Sequence, residues 1–278
     1  MIKLICIDMD GTLLNSHHNI TEENKKAIQE ATSKGIKVAI TTGRIFCSAK
    51  YYSKILGIDT PVIASNGAYI REQNSEDVIY SNSIPSTLLS KVYEIITKYN
   101  LKVLFNTANT VISFYDLPET HVYKIMNREL IDKDRVNFFV AKNISEIIDT
   151  FKENILKGIV IEPDNIDGLF AAKKEIIETL GDKLHIVSSW SNNFEIMLNS
   201  STKGHGVEML AKKYGITSDE VMCIGDSEND LSMIKYAGVG VAMGNATDEV
   251  KSYATYITAT NEDSGVAQAI NKYINHSL

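Results

Sequence analysis

The chain opens with Ile2-Lys3-Leu4-Ile5-Cys6-Ile7 and then turns acidic at Asp8-Met9-Asp10-Gly11-Thr12-Leu13. A short, β-branched run with almost no polar relief suits a strand buried on both faces, the kind found in parallel sheets. Parallel pairing demands crossover connections, usually helical, that cover those faces. The sequence supplies them: a polar helix is expected over residues 21–33 with Gly35 to end it, a strand over 36–40, a helix over 45–56 stopping at Gly57, and a strand over 62–64. The C-terminal part repeats the pattern, with a helix over 203–214, a strand over 221–224, a helix over 231–236, a strand over 239–243 and a last helix capped by Ser264. The two ends read as halves of one open α/β sheet.

The middle of the chain differs. Pro85 fits the first turn of a helix reaching residue 99, and strands are expected over 102–105 and 111–114, separated by Asn106-Thr107-Ala108-Asn109. A helix over 119–130, a strand over 136–140, a helix over 145–154, a strand over 157–161, a helix over 170–180 and a strand over 184–187 follow. Strands joined by a short turn imply antiparallel pairing, so the segment reads as a smaller mixed α/β module inserted into the sheet domain. At about 150 residues per domain, a chain of this length holds roughly two, and length alone leaves one large α/β domain open. The expected division is 1–83 with 190–278 for the core and 84–189 for the insert, with hinges at Asn82-Ser83 and Ser191-Asn192-Asn193 and with Trp190 packing at the return.

Charge and cysteine usage narrow the classes. Lys plus Arg is 28 against 35 Asp plus Glu, a net charge of -7, which argues against a broad nucleic-acid-binding surface. A local anion site remains compatible with an acidic protein. The three cysteines form no C-x-x-C pair, and Cys6 and Cys223 lie inside apolar runs, so a zinc site or disulfide framework is not expected and a reducing, cytoplasmic compartment fits. No apolar run approaches the length of a membrane span, and Asp8 and Asp10 interrupt the first run too early for a signal peptide. His17, His18, His121, His185, His205 and His276 show no metal-ligand spacing; His205 is near Lys203, but an exposed helix histidine is the simpler reading.

Two carboxylates leaving an apolar strand stand where open α/β sheets place ligands. Asp8 and Asp10 can converge on one cation or serve different steps of one reaction, and Gly11 permits a tight turn there. Alone, the segment also reads as a solvated turn. A calcium loop fits poorly, because a strand precedes it and its twelfth position is Asn19 rather than Glu. A second acidic cluster, Gly225-Asp226-Ser227-Glu228-Asn229-Asp230, follows the strand at 221–224 in the other half of the sheet. Thr41-Thr42-Gly43-Arg44 after another strand offers a hydroxyl and a helix N-terminus to an anion. Lys203-Gly204 opens a helix, where the dipole disfavours a lysine; it reads either as a surface residue or as an ammonium that neutralises carboxylates and phosphate. No G-x-G-x-x-G follows the first strand and no P-loop is present.

In order and spacing these four motifs resemble the haloacid-dehalogenase superfamily, specifically its Cof-type phosphatases with a type IIB α/β cap. Ser65-Asn66-Gly67-Ala68, Val241-Ala242-Met243-Gly244-Asn245-Ala246 and Asn261-Glu262-Asp263-Ser264-Gly265-Val266 support the resemblance, which runs from residue 8 to residue 266. It implies a Rossmannoid parallel-sheet core with a smaller inserted α/β cap domain. It also implies Mg²⁺-dependent hydrolysis of small phosphate monoesters, sugar phosphates or related metabolites, through an aspartyl-phosphate. Asp8 is then the nucleophile, and Asp10 protonates the leaving group and later activates water. Asp8, the Asp10 carbonyl and Asp226 bind Mg²⁺, Asp230 orients the metal site, and Thr41, Lys203 and Asn229 contact phosphate. Thr42 and Arg44 support the motif loop or the phosphate. Tyr115, His121, Arg128 and Arg135 are candidates to face the site from the cap. The expected partner is a small phosphorylated metabolite, with neither nucleic acid nor membrane. A phosphomutase using the same intermediate and a non-catalytic phosphate-binding regulator remain alternatives.

Overall fold

Leu4, Ile5, Cys6 and Ile7 are all buried in the computed structural model, which describes residues 1–188 and 191–274. Trp190, expected to pack at the hinge, lies outside the described residues. Along the chain the elements are β1 (Leu4–Asp8), α1 (Glu22–Ser33), β2 (Lys37–Thr41), α2 (Phe46–Leu56), β3 (Pro61–Ala64), β4 (Tyr69–Glu72), β5 (Val78–Ser81), α3 (Ser86–Lys98), β6 (Val103–Asn106), β7 (Thr110–Ser113), α4 (Val122–Asn127), β8 (Asn137–Val140), α5 (Ile144–Phe151), β9 (Lys157–Ile161), α6 (Ile166–Leu180), β10 (Leu184–Val187), β11 (Asn193–Leu198), α7 (Lys203–Tyr214), β12 (Val221–Gly225), α8 (Leu231–Tyr236), β13 (Val239–Ala242), α9 (Asp248–Tyr253), β14 (Tyr256–Ile257) and α10 (Gly265–Ile274). Among the described residues, no helix is long and apolar enough to cross a membrane.

The chain divides into two units, one of Met1–Arg44, Ala49–Tyr80 and Thr202–Leu278, the other of Ile45–Ser48 and Ser81–Ser201. The first is built on an eight-stranded sheet in the order β14-β13-β12-β1-β2-β3-β4-β5. From β14 to β3 every pairing is parallel, and β4 returns antiparallel to β3. β1 is therefore central, paired with β2 on one side and β12 on the other, which explains its lack of polar residues. On one face Leu4, Cys6, Ala39, Ile63 and Cys223 pack with Val207, Leu210 and Ala211 of α7 and Met233 of α8. α7 starts because Thr202 accepts the His205 N–H at 3.1 Å, and it ends at Gly215 in the left-handed region.

The second unit holds a six-stranded sheet in the order β10-β11-β9-β6-β7-β8, antiparallel except between β7 and β8. Phe105, Ile112, Val160, Phe194 and Ile196 form its core with Leu89, Val92 and Ile96 of α3 and Leu169, Ala172 and Ile176 of α6.

β11 corrects the expected boundary. The sequence ends the insert at residue 189, after an expected last strand over 184–187, and places a hinge at Ser191-Asn192-Asn193. Asn193 instead begins a strand between β10 and β9, and the chain re-enters the first unit at Thr202, not near residue 190. Charge hid this strand. Glu195 interrupts the apolar run, but its carboxylate meets Lys157 of β9 at 3.0 Å and both are buried. Phe194 and Ile196 point the other way, into the core. The helix expected over 119–130 contracts to α4, with His121 capping it by accepting the Tyr123 N–H.

If β11 belongs to the core of the second unit, Phe194→Ala removes a fully buried ring and costs about 3–5 kcal/mol. Urea denaturation should move the unfolding midpoint down accordingly. A change below about 0.5 kcal/mol would contradict the placement of β11.

Candidate active site

Parallel register brings the two acidic motifs together. Ile7 of β1 is level with Ile224 of β12, and Asp8 is level with Thr41 of β2. The carboxyl ends of three neighbouring strands thus deliver Asp8, Thr41 and Asp226 to one edge, where an open α/β sheet leaves its crevice. The Asp8, Asp226 and Asp230 carboxylates offer oxygens that all lie within 4.8 Å of one another.

Lys203, the first residue of α7, is only 1% exposed and enters this cluster. Its Nζ lies 2.5 Å from Asp8 Oδ1 and 2.6 Å from Asp230 Oδ1. Burial by itself lowers the affinity of this amine for its proton. The carboxylates of Asp230 and Asp8 outweigh burial and hold Lys203 charged, above the usual lysine range. The same partners explain a lysine at the disfavoured end of a helix.

Asp230 is fully committed. Its Oδ1 faces Lys203, and its Oδ2 accepts the N–H groups of Asp226 and Ser227 at 2.9 and 3.0 Å. It shapes the turn after β12 and fixes the ammonium. Asp226 accepts from Thr12 Oγ1 at 2.7 Å on one oxygen and from Ser227 Oγ at 2.8 Å on the other. Gly11, at φ 83°, lies so close that a Cβ there would stand 2.6 Å from Asp226 Oδ2. Only glycine fits that approach.

Burial, and then Asp230, push the Asp8 carboxyl well above the usual aspartate range; Lys203 opposes this and Asp226 adds to it. Burial and then Asp230 raise Asp226 as well. Three carboxylates face one ammonium, so the cluster carries surplus negative charge that a divalent cation would neutralise. The donors suit a hard cation: Asp8 accepts from Lys203 on one oxygen and each Asp226 oxygen accepts a single side-chain hydroxyl, whereas Asp230 accepts three donors, the Lys203 ammonium and the Asp226 and Ser227 N–H groups.

The other expected residues fall in distinct places. Thr41 is buried beside Asp8 and its Oγ1 has no hydrogen-bond partner, a polar group left for a ligand. Thr42 Oγ1 accepts the Arg44 N–H at 3.1 Å. Asn229 donates to Asn66 Oδ1 at 3.2 Å, and its own Oδ1 is buried without a partner. The Asp10 carboxylate is held by Arg44 in a two-pronged pair at 2.8 and 2.5 Å. In the six-stranded unit, three of the four candidates are engaged in local structure. His121 caps α4, Arg128 donates to the Glu119 carbonyl, and Arg135 donates to the Asn127 and Leu130 carbonyls and pairs with Asp132. Tyr115 lies beneath the Lys102 ammonium. His205 pairs with Glu208 on its own helix. Thr12, Ser227 and Asn66 stand in the motifs quoted above, but the sequence assigns them no role of their own. The Ser227-x-x-Asp230 spacing of a capping box was the available signal for one of them.

A model of the haloacid dehalogenase-like hydrolases matches residues 5–270. The chain belongs to that family. It is 34% identical over 275 residues to the 5-amino-6-(5-phospho-D-ribitylamino)uracil phosphatase YcsE of Bacillus subtilis, covering 98% of this chain and 96% of the relative. A haloacid dehalogenase-like hydrolase structure from B. subtilis superposes with a TM-score of 0.84 at 29% identity over 100% of both chains. The subclass IIB sugar phosphatase BT4131 gives a TM-score of 0.77 at 26% identity over 98% of both. Within the family the chain is a Cof-type phosphatase, with an α/β cap inserted in a Rossmannoid core, and its chemistry is phosphoryl transfer on small phosphorylated metabolites.

Replacing Lys203 with Met leaves buried carboxylates without their cation and should destabilise the protein by ~3–5 kcal/mol near neutral pH. Because the folded-state carboxyls of Asp8 and Asp226 are raised, their ionisation weighs against folding as pH rises through those values and ceases to do so below the ordinary aspartate range. The Lys203→Met deficit should therefore shrink as pH falls. Thermal unfolding across a pH series reads this, and a deficit that grows with acid would refute it.

Proposed function

We propose that the protein hydrolyses small sugar-type phosphate monoesters in the presence of Mg²⁺, through an aspartyl-phosphate on Asp8. The observation that carries this reading is the pairing of Asp8 at the end of β1 with the buried Lys203 ammonium, beside the unpartnered Thr41 hydroxyl. A carboxylate alone repels a phosphate dianion. An ammonium 2.5 Å from that carboxylate reduces the repulsion on approach and remains to meet the charge on the equatorial oxygens. Support for the substrate class comes from BT4131, a sugar phosphatase by name, and from YcsE, whose named substrate carries a phosphoribityl group.

Asp8 and Asp226 would hold the cation, with the Asp10 carbonyl as a further ligand. When bound, Mg²⁺ supplies charge neutralisation at the transferring phosphoryl group. An Asp8 carboxylate oxygen forms the bond to phosphorus as the ester P–O bond breaks, and Asp10 gives its proton to the departing alkoxide. Asp10 then takes a proton from water as that water attacks phosphorus, releasing inorganic phosphate and restoring the Asp8 carboxylate. Both Asp10 oxygens accept from Arg44 here, so proton delivery requires that pair to open. Uncatalysed monoester hydrolysis is slow enough that the site must lower the barrier by ~20 kcal/mol or more.

Purified protein should release phosphate from a panel of hexose phosphates, pentose phosphates, nucleotides, pyridoxal phosphate and p-nitrophenyl phosphate only with Mg²⁺. Asp8→Asn, checked by mass for deamidation, should lower kcat by at least about 10³-fold, beyond the loss of one oriented electrostatic contact. Wild-type turnover by Asp8→Asn would exclude the covalent route. An isomeric phosphate ester in place of inorganic phosphate would assign a mutase.

Since burial and Asp230 favour the protonated forms of Asp8 and Asp226, protons compete with the cation. The rise in Tm on adding Mg²⁺ should be larger at pH 8 than at pH 5.5. An equal or reversed effect would place the cation elsewhere.

A further inference from the structure

We infer that the turn Ser65-Asn66-Gly67 is the positioning device that fixes the phosphate-contacting side chains relative to one another, with Asn66 acting through Asn229. The inference rests on the phosphoryl-transfer reading of the site. Thr41, Lys203 and Asn229 come from three separate parts of the chain: the end of β2, the start of α7 and the turn after β12. This one turn, directly after β3, touches all three parts.

Toward β2, the Asn66 N–H donates to the Thr42 carbonyl at 3.0 Å and the Ser65 N–H donates to the Arg44 carbonyl at 2.9 Å. The Asn66 amide also lies over Gly43, where a Cβ would stand 3.0 Å from Asn66 Oδ1. Toward the turn after β12, Asn66 Oδ1 accepts from Asn229 Nδ2 at 3.2 Å. Toward α7, Gly67 packs against the residues around Lys203. A Cβ on Gly67 would fall onto the carbonyl oxygen of Thr202, and a Cβ on Gly206 would stand 3.0 Å from the Gly67 Cα.

The backbone is bent to make these contacts. Ser65, Asn66 and Gly67 have φ of 50°, 53° and 92°, three consecutive residues in the left-handed region, two of them not glycine. Such conformations persist only where surrounding contacts over-determine them, and they gather at functional sites. Asn66 is 2% exposed, so its side chain is not there for solubility. Three buried side-chain atoms without a hydrogen-bond partner, Thr41 Oγ1, Ser65 Oγ and Asn229 Oδ1, lie in or beside the segments the turn joins. Asn66 itself has no transferring role; its effect is to hold the Asn229 amide in one orientation.

Asn66→Gly tests this without adding strain, because glycine adopts the same φ freely while losing the acceptor. The variant should keep its Tm within about 2 °C of wild type. Its KM for the best ester of the panel and its inhibition constant for inorganic phosphate should both rise roughly tenfold, with a smaller change in kcat. In an Asn229→Ala background the same substitution should change the phosphate inhibition constant by less than about twofold, since the contact it acts through is already gone. Full additivity of the two changes, or an Asn66→Gly protein that binds phosphate like wild type, would overturn the inference. A drop in Tm with unchanged phosphate affinity would also overturn it, by making the turn purely structural. Should no ester be hydrolysed by the wild-type protein, the hydrolase reading fails, while the stabilisation of each variant by Mg²⁺ and inorganic phosphate in thermal unfolding still decides the role of the turn.

Discussion

The Lys203 ammonium lies between the carboxylates of Asp8 and Asp230, and the surrounding site depends on that contact. A buried charge without partners is untenable, and without the lysine Asp8 would lose its ammonium partner while Asp230 would keep only its backbone N–H donors. Asp230 uses its other oxygen to hold the backbone after β12, so the same contact that keeps Asp8 supplied with a cation also fixes where Asp226 emerges. Electrostatics and chain geometry are therefore one arrangement. The acidic surplus that remains is the part a divalent cation would complete.

The sheet makes this possible by register. Level pairing of Asp8 with Thr41, and of Ile7 with Ile224, converts distant sequence positions into neighbours at one edge. Asp226 is then pinned from a third direction by Thr12 and by the close approach of Gly11. The Asp8-to-Leu13 segment thus contributes two carboxylates, a hydroxyl and a missing side chain, each with a separate physical task.

Much of this was legible because the core strands and acidic motifs obey simple rules. A β-branched run without polar residues has few other homes than a central parallel strand, and carboxylates at its end have a stereotyped location. β11 was not legible, because Glu195 looks like solvent exposure unless its partner on β9 is known, and Lys157 is 38 positions away. The sequence leaves the orientation of Arg128 and Arg135 open, and in the fold their guanidinium groups close the loops around α4. Asn66 sat in a recognised motif without an assigned task, since its partners lie in segments that only the folded sheet brings near. Propensity and spacing report on local chemistry; long-range pairing of polar groups leaves little trace in either.

The central place of β1 also constrains how the chain is made. Its β2 edge can pair early in synthesis, but its other edge waits for β12, which follows the whole insert. The six-stranded unit has its own apolar core and all its strands in hand by residue 198, whereas β1 still presents an unpaired apolar edge at that moment. A nascent chain of this protein thus carries an unpaired apolar strand edge through the synthesis of an entire second unit, and loses it only as residues 221–225 become available to pair.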